Sequence, residues 1–291
     1  MTVTTMELQG RLFMYHQGMR LTAFESGPVN SRKSVIMVVG LTDGYGGVPY
    51  LGVLNDALTK QDYSLIQIQT TSSYNGYGAS SLENDVKELD YLIEFLKQTY
   101  HKTHLVVMGH STGCQISVCH NKSGKYRQDI AGYILQAPVS DREWYSAVVP
   151  NHLQHIQLAT TMREQSHGNE WMPRYLDNAL QAIDVPITAD RFYSLYARGG
   201  DDDLFSTDLT DEELKKVFQG VHQPMLLLNG AQDEFYQSSI DPLTFLERLQ
   251  KLCPAIRDIG IIPGANHKVD DLNAQHILAS RVLSFLDTIC L

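Results

Sequence analysis

Four cysteines in 291 residues, Cys114, Cys119, Cys253 and Cys290, are too few and too irregularly spaced for a disulfide framework. With no C-x-x-C pair they also offer no metal or redox motif, so they read as buried thiols. No apolar run approaches the roughly 18 residues of a membrane span. The first residues, Met1-Thr2-Val3-Thr4-Thr5, lack a basic stretch followed by an apolar one, which leaves no secretory signal. Positive charge is in deficit: 23 Lys and Arg stand against 33 Asp and Glu, a formal charge of −10. That balance argues against nucleic acid and anionic membrane surfaces as partners and favours neutral or cationic small molecules. Glycine-rich stretches occur, but none ends in Gly-Lys-Ser/Thr or forms G-x-G-x-x-G before a helix, so no phosphate loop is expected. The expectation is a soluble cytoplasmic protein without a metal or cofactor.

What is present is an alternation of short apolar runs with helical patterns, the sequence form of a mostly parallel sheet flanked by helices. Arg11–His16 and Arg20–Glu25 read as early strands joined at Gln17-Gly18. Ser34–Val39 is continuously apolar, as a strand buried on both faces should be. Ser64–Thr70, Leu105–Met108 and Ile130–Gln136 follow. Between Ser64–Thr70 and Leu105–Met108, Ser80 and Glu83 form a capping box ahead of Leu82, Val86, Leu89, Ile93 and Leu96 at helical spacing. The rhythm resumes with strands at Pro224–Leu228 and Ile256–Ile262 and helices at Pro242–Leu252 and Leu272–Ile289. Between them, residues 141–222 hold both tryptophans, several histidines and prolines, and a second capping box, Thr210 with Glu213. The reading is one α/β core, residues 1–140 and 223–291, with residues 141–222 inserted as a helical cap.

Directly after the strand Leu105–Met108 stands Gly109-His110-Ser111-Thr112-Gly113. This is G-x-S-x-G, the turn that exposes a nucleophilic serine between a buried strand and a helix. The pattern alone is weak, but it specifies where its partners must lie. A serine hydroxyl needs a positioned base, and the base an orienting acid. In the α/β-hydrolase layout the chain order is serine, acid, histidine, each past the carboxyl end of a strand. Asp233 follows the strand Pro224–Leu228, and His267 follows Ile256–Ile262, so both expected positions are filled. Asp141, after the sixth strand, is the alternative acid. Glu234 reads as exposed, and His110 and His120, in and after the turn, as structural. Two backbone amides should receive the developing oxyanion. One is that of Thr112; the other belongs to Leu41, or second to Thr42, after Ser34–Val39. The following Asp43, Gly44 and Tyr45 would border the substrate. Asp201-Asp202-Asp203 lacks metal-loop spacing and reads as a solvated turn, or alternatively as an acidic rim that attracts a cationic substrate.

Several of these stretches resemble one α/β-hydrolase family: Gly40-Leu41-Thr42-Asp43-Gly44, Gly109 to Gln115, Asp202-Asp203-Leu204-Phe205-Ser206 and Gly264-Ala265-Asn266-His267. The family spans fungi, plants and protists and includes fungal intracellular esterases of fusarinine-type siderophores. The resemblance covers nearly the whole chain. It implies a serine esterase that cleaves ester bonds of a hydroxamate siderophore, with any iron belonging to the substrate. Two other readings of the residues stand beside it. One is a non-catalytic binding protein on the same fold; the other is a thioesterase, lipase or acyltransferase.

Overall fold

The computed structural model describes residues 7–173 and 185–289. Eight strands form one sheet in the order β1-β2-β4-β3-β5-β6-β7-β8. The hairpin β1 (Gly10–His16) and β2 (Leu21–Ser26) is antiparallel, and β2 joins β4 (Tyr63–Ile68) antiparallel. From β4 onward every pairing is parallel, through β3 (Lys33–Val38), β5 (His104–His110), β6 (Ile130–Gln136), β7 (Met225–Gly230) and β8 (Ile256–Ile262). This is the α/β-hydrolase fold.

The continuous apolar runs are explained by two covered faces. Successive strand side chains point to opposite sides, so Val35, Met37, Val106 and Met108 meet one helical layer, and Ile36, Val38, Leu105 and Val107 the other. On the first face α1 (Leu51–Lys60) packs against α9 (Leu272–Ile289) through residues such as Leu54, Leu58, Leu278 and Val282. The second face carries α2 (Leu82–Thr99), α3 (Gly113–Ser123) and α8 (Pro242–Leu252). Each fully buried aliphatic side chain in these layers is worth about 1.5–3 kcal/mol.

The sequence gives no sign of α1, whose short apolar set follows a glycine-rich loop. The cap of α2 also differs from expectation: Ser81 accepts the Asn84 amide at 3.2 Å, while Ser80 lies one residue outside and Glu83 instead pairs with Lys87 at 2.6 Å. The helix begins at Leu82, so only Ser81 can reach the free amides of its first turn. The Thr210–Glu213 box is present and opens α7 (Asp211–Phe218).

Between β6 and β7 lie α4 (Asp141–Val148), α5 (His152–Glu164), α6 (Ala189–Tyr196) and α7. Their packing divides the segment. The helices α4 to α6 have their own core around Tyr145, Phe192 and Tyr196, with Tyr145 and Tyr196 stacked at 4.3 Å, and cover Tyr77. By contrast Leu204, Phe205, Leu209, Leu214 and Phe218 join the core of the sheet. Part of this segment, residues 174–184, lies outside the described residues. Cys114, Cys119 and Cys253 are free thiols, Cys119 only partly buried; Cys290 lies outside the described residues.

Candidate active site

Leu41, Ser111, Asp233 and His267 sit past the carboxyl ends of β3, β5, β7 and β8. Ser111 directly follows β5 with φ +54°, in the left-handed region that a serine rarely adopts. Its amide donates to Gln136 O at 3.1 Å and its carbonyl accepts from Cys114 N at 2.8 Å, which fix the turn. The flanking glycines are required by close approach. A Cβ on Gly113 would lie 2.1 Å from Val38 O, and one on Gly109 2.3 Å from Gly113 O. Gly40 passes so near that a Cβ there would be 2.7 Å from the Ser111 Cβ.

His267 follows β8 and is 3% exposed. Its Nδ1 lies 2.8 and 2.9 Å from the two Asp233 carboxylate oxygens. With the carboxylate ionised, Nδ1 carries the proton and Nε2 is left as a free base. Asp233 is itself held, accepting the Phe235 amide at 2.9 Å. Glu234 is exposed, yet its Oε2 accepts the His267 backbone amide at 2.9 Å, a tether that the sequence does not suggest. Asp141 is elsewhere. It opens α4, accepts from Gln115 Nε2 at 3.1 Å, and is pushed up to about 8, chiefly by burial and then by Asp202.

Gln136, at the end of β6, organises this corner. Its side-chain oxygen lies 2.5 Å from His110 Nδ1 and accepts from Tyr50 Oη at 3.2 Å, while its amide nitrogen donates to His267 O at 3.2 Å. His110 is fully buried, and burial holds its imidazole neutral, well below the ordinary range. A neutral ring 4.9 Å from His267 does not oppose charge on it. On the other side Phe235 lies 4.4 Å from His267, with Trp144 stacked on it at 5.4 Å. None of these was legible beforehand, except that Gln136 ends a strand and Phe235 adjoins the acid. His120 is bound to Tyr133 and Asp90 in the core.

The amides of Leu41 and Thr112 have no acceptor among the described residues, and both residues line a narrow pocket. Thr42 is exposed, with φ +67°. Asp43 borders the pocket, but its carboxylate is bound to Lys268 Nζ at 2.6 Å; burial nonetheless pushes its pKa up. Tyr45 does not line the pocket and directs its hydroxyl to Thr22 Oγ1 at 2.8 Å.

The three aspartates separate, which corrects their reading as one solvated turn or exposed rim. Only Asp201 is exposed. Asp202 pairs with Arg191 at 2.5 Å, and Asp203 with Arg142 at 3.0 Å, because folding brings a guanidinium from α6 and another from α4 onto them. Among the described residues no helix is long and apolar enough to cross a membrane.

The family described as "Protein of unknown function (DUF1749)" matches residues 1–287. The chain is 32% identical over 289 residues to UPF0613 protein PB24D3.06c of Schizosaccharomyces pombe, covering 89% of this chain and 90% of that protein. It is 29% identical to fusarinine C esterase sidJ of Aspergillus fumigatus, with 95% of each chain covered. Among solved structures it is similar to siderophore hydrolase EstB of Aspergillus fumigatus, with TM-score 0.80, 26% identity, and 97% and 98% coverage of the two chains.

Proposed function

The chain belongs to the DUF1749 family and is an ester hydrolase of the α/β-hydrolase fold, and from that premise we propose that Ser111, His267 and Asp233 are its catalytic triad. The observation that carries this reading is the grip of both Asp233 oxygens on His267 Nδ1, on the loops past β7 and β8 of the sheet whose β5 leads into a strained Ser111. His267 Nε2 takes the Ser111 proton as the hydroxyl attacks the ester carbonyl. The Leu41 and Thr112 amides stabilise the oxyanion, and the imidazolium returns its proton to the departing alcohol oxygen. Water, activated by the same imidazole, then releases the acid from the acyl-serine. The acid–imidazole hydrogen bond keeps the reactive tautomer, so Asp233 acts by orientation and by stabilising imidazolium.

The substrate class we propose is a hydroxamate siderophore ester of the fusarinine type, handled in the cytoplasm, with any iron arriving as substrate cargo. The names of sidJ and EstB support this reading, as does the helical unit α4 to α6 that covers the pocket as a cap.

Ser111→Ala should fold normally and lose on the order of 10⁴- to 10⁶-fold in kcat on short p-nitrophenyl esters and on ester-linked hydroxamates. Intact mass after fluorophosphonate treatment should show one adduct on the wild type and none on the variant. Normal turnover by the alanine variant would end this assignment.

A further inference from the structure

The pocket beside the Leu41 and Thr112 amides has apolar walls, Ile68 and Ile116 among them, and an acidic end. Asp85 of α2, Asp202 and Arg191 line that end, and each carboxyl residue is 2% exposed. Arg191 uses Nη1 on one oxygen of Asp202 at 2.5 Å and Nε on Tyr77 O at 3.2 Å; Ser194 Oγ donates to that same Asp202 oxygen at 2.6 Å. The second oxygen of Asp202 and Oδ1 of Asp85 have no hydrogen-bond partner among the described residues. Asp85 and Asp202 thus line one cavity, each with a buried oxygen that has no partner at hydrogen-bond distance, and the Ser72 hydroxyl, likewise unpartnered, lines it beside Asp85. Buried polar groups are nearly always paired, so such orphans mark a place for a ligand donor.

Charge points the same way. Asp85, Asp141 and Asp202 all interact with the single guanidinium of Arg191. Burial, with Glu88 and Asp202 adding to it, pushes Asp85 up to about 7 against the pull of Ser72 and Arg191. One guanidinium is thus shared among three carboxyl groups. Among the described residues no group of three or more His, Cys, Asp or Glu is disposed to hold a metal.

We propose that this pocket is a specificity subsite for a protonated amine on the acyl half of the ester, held by Asp85 Oδ1 and the free oxygen of Asp202. An ammonium offers three donors and a full charge, which the two orphaned acceptors can share. The acyl half is assigned because His267 must reach the leaving oxygen, so the alcohol departs on its side. The pocket borders the oxyanion amides and includes neither His267 nor Phe235. The proposal rests on Ser111 as nucleophile.

The test compares p-nitrophenyl 3-aminopropanoate with p-nitrophenyl butanoate, which differ by ammonium against methyl at equal size. Wild type should favour the ammonium ester in kcat/KM by about 10- to 100-fold, as expected for hydrogen bonds to a charged group. Asp85→Asn, nearly isosteric, should collapse that ratio toward one, and Asp85→Glu should restore part of it. One fluorophosphonate adduct per chain verifies that each variant is folded with a competent serine. Equal preference in wild type, or an unchanged ratio in Asp85→Asn, would overturn the subsite. Binding of the matching p-nitroanilides to the Ser111→Ala protein separates the two readings. Tighter binding of the ammonium compound, lost on adding Asp85→Asn, supports the subsite even if Ser111 is not the nucleophile. Equal binding of the two anilides refutes the subsite whatever the serine does.

Discussion

Two groups of buried charge lie on opposite sides of this molecule, and they are built on different plans. Under the β1–β2 edge, Glu25 is fully buried and meets Lys102 Nζ at 2.5 Å and Arg11 at 2.6 Å. Lys102 also donates to Ser31 O, Val29 O and Ser64 Oγ, so this group is saturated. Between α2 and the cap, three carboxyl groups share Arg191, and two oxygens are left over. The saturated group holds a hairpin to a sheet. The deficient one borders the Leu41 and Thr112 amides, where we propose that a ligand completes its shell. A buried ion pair is thus informative through what it leaves unpaired.

The largest effect should separate the carboxyl group on His267 from those around Arg191. Asp233→Asn frees the imidazole to take the wrong tautomer, and kcat should fall about 10⁴-fold. Asp141→Asn, which removes a member of the deficient group, should leave kcat within a few-fold. Steady-state rates on one neutral ester decide this, and the reverse ranking would move the acid to the end of β6.

Breaking the saturated group should cost stability instead. Lys102→Met leaves Glu25 buried with Arg11 as its only cation, a loss of about 3–5 kcal/mol, or roughly 10 °C in melting temperature. Turnover per folded molecule should not change. A melting temperature within a degree of wild type would show that the pair contributes nothing.

The smallest effect is a pH slope. Asp85 and Asp141 are raised from 3.8 to about 7 and about 8, so the folded state binds more protons than the unfolded chain up to those values. Stability from these groups therefore falls as pH rises from about 4 to 8. His110, whose pKa is depressed, acts in the opposite sense, but only at and below its ordinary range near 6.5. Melting temperature should thus decline between pH 6.5 and 8, and the Asp85→Asn/Asp141→Asn double variant should flatten that decline. An unaltered slope would place the titration elsewhere.

The same contrast explains which parts were legible in the sequence. Strands β3 and β5 announce themselves because burial on both faces demands uninterrupted apolar residues. Ser111, Asp233 and His267 could be nominated because the layout ties each to a strand end, and the last two are in contact. The cap of α2 was misread by one residue because Ser80, Ser81 and Glu83 satisfy the pattern almost equally. Asp202 and Asp203 could not be read at all. Their burial depends on Arg191 and Arg142, and 61 residues separate Arg142 from Asp203. Acidity in a sequence signals solvent until a folded partner overrides it. Gln136 is illegible for a similar reason, since its three side-chain contacts come from three distant segments.

The stack of Trp144 on Phe235, itself against His267, has an optical consequence. The chain carries two indoles, and the other, Trp171, is 55% exposed. One emitter therefore faces water while the second sits one ring away from the imidazole. A change at His267 alters the surroundings of Trp144, one ring away. Emission from Trp144 should thereby respond to chemistry at His267, which comparison with the Trp144→Phe variant would check.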